Sequence, residues 1–217
     1  MLEYYFLVRI YDSNLLVISK QGGTSCASVV NQVKYPENIS NMLAVQYGVQ
    51  YEKTAIQDFG KKNPHMYILD SLGLFQHSAY PHIAATPDGL IYDVKRSSNQ
   101  WGVLEVKCPY GARDGLPKDA EKGKLIGKDG TISKNHKYVR QLQGQMVCVG
   151  VTWGVLVVWT PNGLYTQEVK LDTEKWSSYL SKIDTFWRCA LAPEISDSRI
   201  DRGQDLRDWC FALHKKK

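Results

Sequence analysis

Two short stretches place acidic and basic side chains where they can act together. In Leu104-Glu105-Val106-Lys107-Cys108 apolar residues alternate with charged ones. A strand turns Glu105 and Lys107 to one face and Leu104, Val106 and Cys108 to the other. Alone, such a pair is usually a surface ion pair of small energetic weight. Thr86-Pro87-Asp88-Gly89 is turn chemistry, and Asp-Gly between strands signals a hairpin. Together the two stretches say more. Asp88 at a strand junction, with Glu105 seventeen residues on, brings two carboxylates and a lysine to one sheet edge. Hard oxygen ligands of this kind hold one or two Mg²⁺ ions. Metal and lysine then offset the charge that develops on a phosphodiester attacked by water.

A third carboxylate stands out by its setting. Between Ser40 and Phe59 a helical pattern runs through Val45, Val49, Ile56 and Phe59, and Glu52 fills the gap in that stripe. An unpaired buried carboxylate is costly, so Glu52 needs a cation, a metal or strong donors, unless the helix turns it to the rim. Further on, Tyr138, Gln141 and Gln145 fall on one face of a helix expected over Lys137 to Val149. Such groups satisfy core atoms in many proteins; here they are also placed to orient a water or hold a phosphate oxygen.

The elements that must position these groups follow from periodicity and punctuation. Ser40 or Asn41 is the expected cap of the first long helix, which breaks at Lys61 to Pro64. Tyr67 to Leu74, Phe75 to Ala85, Leu90 to Val94 and Gly102 to Cys108 read as strands. Val155 to Thr160 and Leu164 to Leu171 flank Pro161-Asn162-Gly163, a hairpin. Trp176 to Ala190 is a last amphipathic helix. Gly111 to His136 has no periodicity. A segment of that length and character is expected to be functional or mobile. Its cations, Arg113 among them, suit a solvated loop or contact with a nucleic-acid backbone.

The composition is that of an ordinary globular chain. Its 217 residues are 43% hydrophobic and 23% charged with a net charge of +5, which excludes disorder and coiled coil and permits a polyanionic partner. Five scattered cysteines without a CxxC pair argue against a zinc knuckle or disulfide scaffold and for a reducing, intracellular compartment. Residues 1–19 are apolar but interrupted by Glu3, Arg9 and Asp12, which suits neither a membrane span nor a secretory signal; one or two short strands, or a poorly specified leader, are expected there.

Four ordered motifs carry a resemblance: Tyr47-Gly48-x-x-Tyr51-Glu52-x-x-Ala55, Ala85-Thr86-Pro87-Asp88-Gly89-Leu90, Leu104-Glu105-Val106-Lys107-Cys108-Pro109-Tyr110, and Tyr138-x-x-Gln141-x-Gln143-Gly144-Gln145-Met146. They are similar to the YqaJ-type viral recombinase domain. This is the lambda-exonuclease branch of the PD-(D/E)xK nucleases, and the likeness is to its animal, mobile-element-associated members. It covers roughly residues 35 to 195.

The resemblance implies an α/β, restriction-endonuclease-like core, with a mixed β-sheet flanked by helices. It also implies Mg²⁺- or Mn²⁺-dependent cleavage of DNA, 5′ to 3′ from the ends of linear duplex. By position, Asp88, Glu105 and Glu52, with the Val106 carbonyl, match the metal ligands. Lys107 matches the catalytic lysine. Gln141 matches the glutamine near the attacking water, supported by Tyr138. Near the start, Thr24 to Ser28 resembles the helix that helps hold a terminal phosphate. Ser25 and Ser28 are its candidates; relatives carry an arginine shortly before this helix, whereas here Gly22 and Gly23 precede it and Lys20 is the nearest cation. Arg113, from the basic loop, is a further candidate DNA contact. The expected organisation is an unassigned segment 1–20, a YqaJ-like domain 21–195 and a polar tail 196–217. The rivals are an endonuclease on the same scaffold, acting on DNA or RNA, and a decayed remnant that only binds DNA. A homo-oligomer is compatible with the resemblance and not fixed by it.

Overall fold

The computed structural model describes residues 10–11 and 26–207. Lys20 and Ser25 lie outside the described residues, as does most of the apolar N-terminal stretch. Its strand β1 (Ile10–Tyr11) pairs in parallel with β4 (Ile83–Ala85), which pairs on its other side with β3 (Phe75–Gln76). The larger sheet has five strands in the order β2 (Met66–Asp70), β5 (Gly89–Asp93), β6 (Trp101–Lys107), β7 (Trp153–Thr160) and β8 (Gly163–Lys170). All its neighbours run antiparallel except β6 and β7. The sheet is therefore mixed, as expected, and helices cover both faces.

Strand β7, Trp-Gly-Val-Leu-Val-Val-Trp-Thr, is buried at every position, as an apolar, β-branched run beside a parallel partner should be. One face of the sheet meets α2 (Leu43–Lys62), whose Ala55, Ile56 and Phe59 pack on Leu104, Val106, Val155 and Val157. The other meets α3 (Lys137–Val149), whose Val139, Leu142 and Met146 pack on Val103, Leu156 and Val158. At the far end of β6, Gly102 makes room for Trp153, whose ring lies 2.6 Å from where a Cβ would stand.

Helix α3 keeps the bounds expected from its sequence, for local reasons. The His136 side chain accepts the Tyr138 N–H at its start, and Gly150 takes the left-handed conformation at φ 83° after its end. Helix α2 differs. It begins after Met42 without a side-chain cap, while Asn38 rather than Ser40 or Asn41 accepts a turn N–H. Its buried stripe is also shortened: Val49 is 74% exposed, because this part of α2 lines an open cleft rather than the core.

The aperiodic stretch 111–136 is packed down. Ala112, Ala120, Leu125 and Ile132 are buried in the core shared with α3, so single apolar anchors replace a periodic stripe. Helix α1 (Cys26–Lys34) and α4 (Thr173–Phe186) join β4 in a third core, and the expected last helix passes through a π-helical turn (Trp187–Leu191) into α5 (Ala192–Ser196). Within α5, the buried Glu194 carboxylate accepts from Ser198 Oγ and the Arg199 and Ile200 N–H groups that follow the helix. Among the described cysteines Cys108, Cys148 and Cys189 are free, whereas Cys26 is disulfide-bonded, which the scattered spacing did not anticipate. Among the described residues no helix is long and apolar enough to cross a membrane.

Candidate active site

Strand register builds the site. In the antiparallel β5–β6 pair Gly89 faces Leu104, so one further step sets Asp88 opposite Glu105. Asp88 Oδ2 accepts the Val106 N–H at 2.6 Å, which ties the turn before β5 to the end of β6. Because side chains alternate, Glu105 and Lys107 both face α3, as the sequence pattern requires. The face they occupy differs from expectation. Strand β6 is central, α3 covers it, and Glu105 is 1% exposed.

Both Glu105 oxygens are engaged. Lys107 Nζ pairs with Oε1, and Gln145 Nε2 donates to Oε2 at 2.5 Å. The Lys107 ammonium also sits 5.4 Å from the centre of the Tyr138 ring. Burial acts to lower the Lys107 pKa, but the Glu105 and Asp88 carboxylates outweigh it, so the pKa is raised and the side chain stays a cation.

A cleft of about 360 Å³ opens beside these groups. Glu52, Asp88, Val106, Lys107, Tyr110 and Tyr138 line it, together with the first turns of α2. Glu52 reaches it from the rim and is exposed, which resolves the apparent conflict on the α2 stripe without burying the carboxylate. Its pKa is still raised, by desolvation against the cleft wall and then by Glu105. Asp88 is pushed up to about 8, first by burial and then by Glu105, with the Lys107 charge and the Val106 N–H opposing. Burial, then Glu52 and Asp88, push the Cys108 thiol up to about 12, so it lines the cleft as an inert thiol. The site holds more negative charge than its one lysine offsets.

That imbalance bears on metal binding. Three carboxylates from three elements form a hard-oxygen donor set, and the upward shifts of Asp88 and Glu52, set first by burial and then by Glu105, mark charge that a divalent cation would stabilise. The donor chemistry fits Mg²⁺ or Mn²⁺. The side chains themselves are gathered around Lys107, and among the described residues no three His, Cys, Asp or Glu groups are drawn together closely enough to enclose an ion.

The remaining candidates are dispersed. Gln141 is half-buried on α3, one turn before Gln145, and is not among the residues that line the cleft. Arg113 stacks over Tyr110 at 4.3 Å beside the cleft and pairs with Asp114. Ser28 is exposed on α1, where its hydroxyl accepts from Gln32. The contact that sequence reasoning missed is Gln145 on Glu105. Its signal was present, since Gln145 shares the helix face of Tyr138 and Gln141, but which amide meets the carboxylate depends on how far α3 slides along β6.

Residues 20–152 match the model of the YqaJ-like viral recombinase domain. The chain belongs to this family. No curated protein matches it in sequence. Among solved structures it is similar to LHK-Exo, an alkaline exonuclease from Laribacter hongkongensis, in complex with dAMP: TM-score 0.67, 20% identity, 92% of this chain and 96% of that one. A phage-related exonuclease from Haemophilus somnus 129PT gives a TM-score of 0.60 at 14% identity, over 90% and 96%. SOX in a SOX–DNA complex gives 0.54 at 11%, over 91% and 67%. At these identities the likeness is one of fold. The YqaJ-like core, with its five-stranded mixed sheet between helices, has the fold of these exonucleases.

Proposed function

We propose that this YqaJ-like chain is a metal-dependent deoxyribonuclease that degrades linear duplex DNA from its ends, 5′ to 3′. The observation that carries the reading is the convergence of Glu52, Asp88 and Lys107 on one cleft, with the buried Glu105 paired to Lys107 behind it and carboxylate charge in excess. Family membership supports action on DNA; two of the similar solved proteins are named as exonucleases, one of them with dAMP, and a third, SOX, is in complex with DNA.

In this reading Asp88, Glu105 and Glu52, with the Val106 carbonyl, hold Mg²⁺ or Mn²⁺. A bound ion would lower the pKa of a water and offset charge on the phosphate. The chain's own residues do the rest. Lys107, held as a cation beside Glu105, is assigned to donate to a phosphate oxygen. The Val106 N–H fixes Asp88, and Tyr138 covers the ammonium. Gln141 is assigned to orient the attacking water, and Arg113 to contact the DNA backbone beside Tyr110.

The test is digestion of end-labelled linear duplex against a closed circle, with Mg²⁺, Mn²⁺ or a chelator. Degradation of the linear form alone, with release of label from the 5′ end first and arrest by chelator, is expected. Cutting of the circle would replace this reading with an endonuclease. Binding of DNA without cleavage under any divalent cation would replace it with a DNA-binding remnant.

A further inference from the structure

Gln145 has no part in that scheme, yet its contact with Glu105 is among the most deeply buried in the site. Gln145 is 0% exposed and Glu105 1%. A carboxamide in such a place is costly unless its polar atoms are bonded. Its neighbour Gln143 shows the ordinary solution. Gln143 donates to the Lys170 carbonyl and accepts the Asp172 N–H, which clamps the end of β8. Gln145 spends its donor on a carboxylate instead, at 2.5 Å.

We propose that Gln145 is the positioning residue that sets the orientation of the Glu105 carboxylate for cation binding. Two donors hold that carboxylate, and they differ in stiffness. Lys107 reaches Oε1 from the same strand on a flexible four-carbon stem, with its side chain 24% exposed. Gln145 reaches Oε2 from α3, where Leu142, Gly144 and Met146 around it are buried. The helix therefore supplies the fixed point. A hydrogen bond to a charged acceptor in a dry interior is strong and directional. Without it, the carboxylate is free to rotate about its last torsion and follow the lysine. Outer partners of this kind commonly contribute about 10- to 100-fold to metal affinity or activity.

The assignment rests on Glu105 acting as a metal ligand, so the experiment reads ion binding apart from cleavage. Mn²⁺ is titrated into the full chain and followed by water-proton relaxation, for the parent and Gln145→Leu, with circular dichroism to check the fold. The Mn²⁺ dissociation constant should rise about tenfold in Gln145→Leu. The Mg²⁺ concentration for half-maximal cleavage should rise in parallel, with kcat reduced and KM for DNA unchanged. Parent-like Mn²⁺ binding and kcat in the folded variant would overturn the proposal. If Gln145→Leu does not fold, Gln145→Asn keeps the carboxamide but withdraws it by one methylene. Weakened Mn²⁺ binding is again expected there, and parent-like binding again overturns it. A parent that binds Mn²⁺ without cutting DNA would sink the nuclease reading alone, leaving Gln145 to be judged by the titration. A parent that binds no Mn²⁺ overturns both.

Discussion

Strand β5 is flanked or closed by an aspartate at each end, and the two live in opposite circumstances. Asp93 is 5% exposed and fully provided for. Its carboxylate accepts the Lys95 N–H and pairs with Arg96, which stacks on Trp153 at 3.7 Å and pairs on with Glu168. Asp88 has the Val106 N–H, but its other close charges are Glu105, Glu52 and a lysine already committed to Glu105. Local donors settle the first carboxylate. The second is crowded by others brought from elsewhere in the chain. A carboxylate kept in such company costs stability, and under the proposed function the bound cation offsets that cost.

The widest separation between the two ends should appear in activity. Asp88→Asn, Glu105→Gln and Lys107→Ala should each lower cleavage of linear duplex by on the order of a hundredfold or more. Asp93→Asn should leave cleavage per folded molecule unchanged. Three fully active variants at the first end would break the comparison.

Stability should move the other way. Asp93→Asn disrupts a buried ion pair and should cost about 2 kcal/mol, whereas Asp88→Asn removes repulsion and should raise the melting temperature above the parent's at alkaline pH. Equal destabilisation by both would mean that the charge at Asp88 is as well compensated as at Asp93.

The pH dependence sharpens this. Asp88 ionises near its ordinary 3.8 in the unfolded chain and at about 8 in the folded one. The stability linked to its raised pKa is therefore fully present below about pH 4 and lost as pH rises through about 8. Without divalent cation, melting temperatures should fall across that window more in the parent than in Asp88→Asn. Saturating Mg²⁺ should remove the difference; its persistence would argue against an ion beside Asp88.

The smallest effect belongs to the rim. Arg113 is exposed and stacks on Tyr110, so Arg113→Ala should raise KM for DNA about two- to threefold and slightly flatten its salt dependence, with kcat unchanged. A large loss of kcat would move Arg113 from the rim into the reaction.

What was legible in the sequence was legible because its cause is local. The alternation in Leu104 to Cys108 gave the facing of Glu105 and Lys107. The helix expected over Lys137 to Val149 keeps those bounds because His136 and Gly150 close it locally, and Pro161-Asn162-Gly163 gave the β7–β8 hairpin. Where expectation and structure parted, the cause was remote. Val49 is exposed because that turn of α2 faces the open cleft, and no property of the helix reveals this. The stretch 111–136 lacks a period, yet four residues anchor it, because its partners come from α3 and the sheet.

The chain by itself determined the chemical identity of the site: which carboxylates, which lysine, and the order in which strands and helices present them. Tertiary packing decided their company. It placed Glu52 at the rim rather than in the core, put Gln145 rather than Gln141 on Glu105, and sealed one face of β6 under α3. Side-chain type and alternation are properties of a few consecutive residues. Desolvation and charge crowding belong to groups far apart in the chain, and they take a value only when the chain closes on itself.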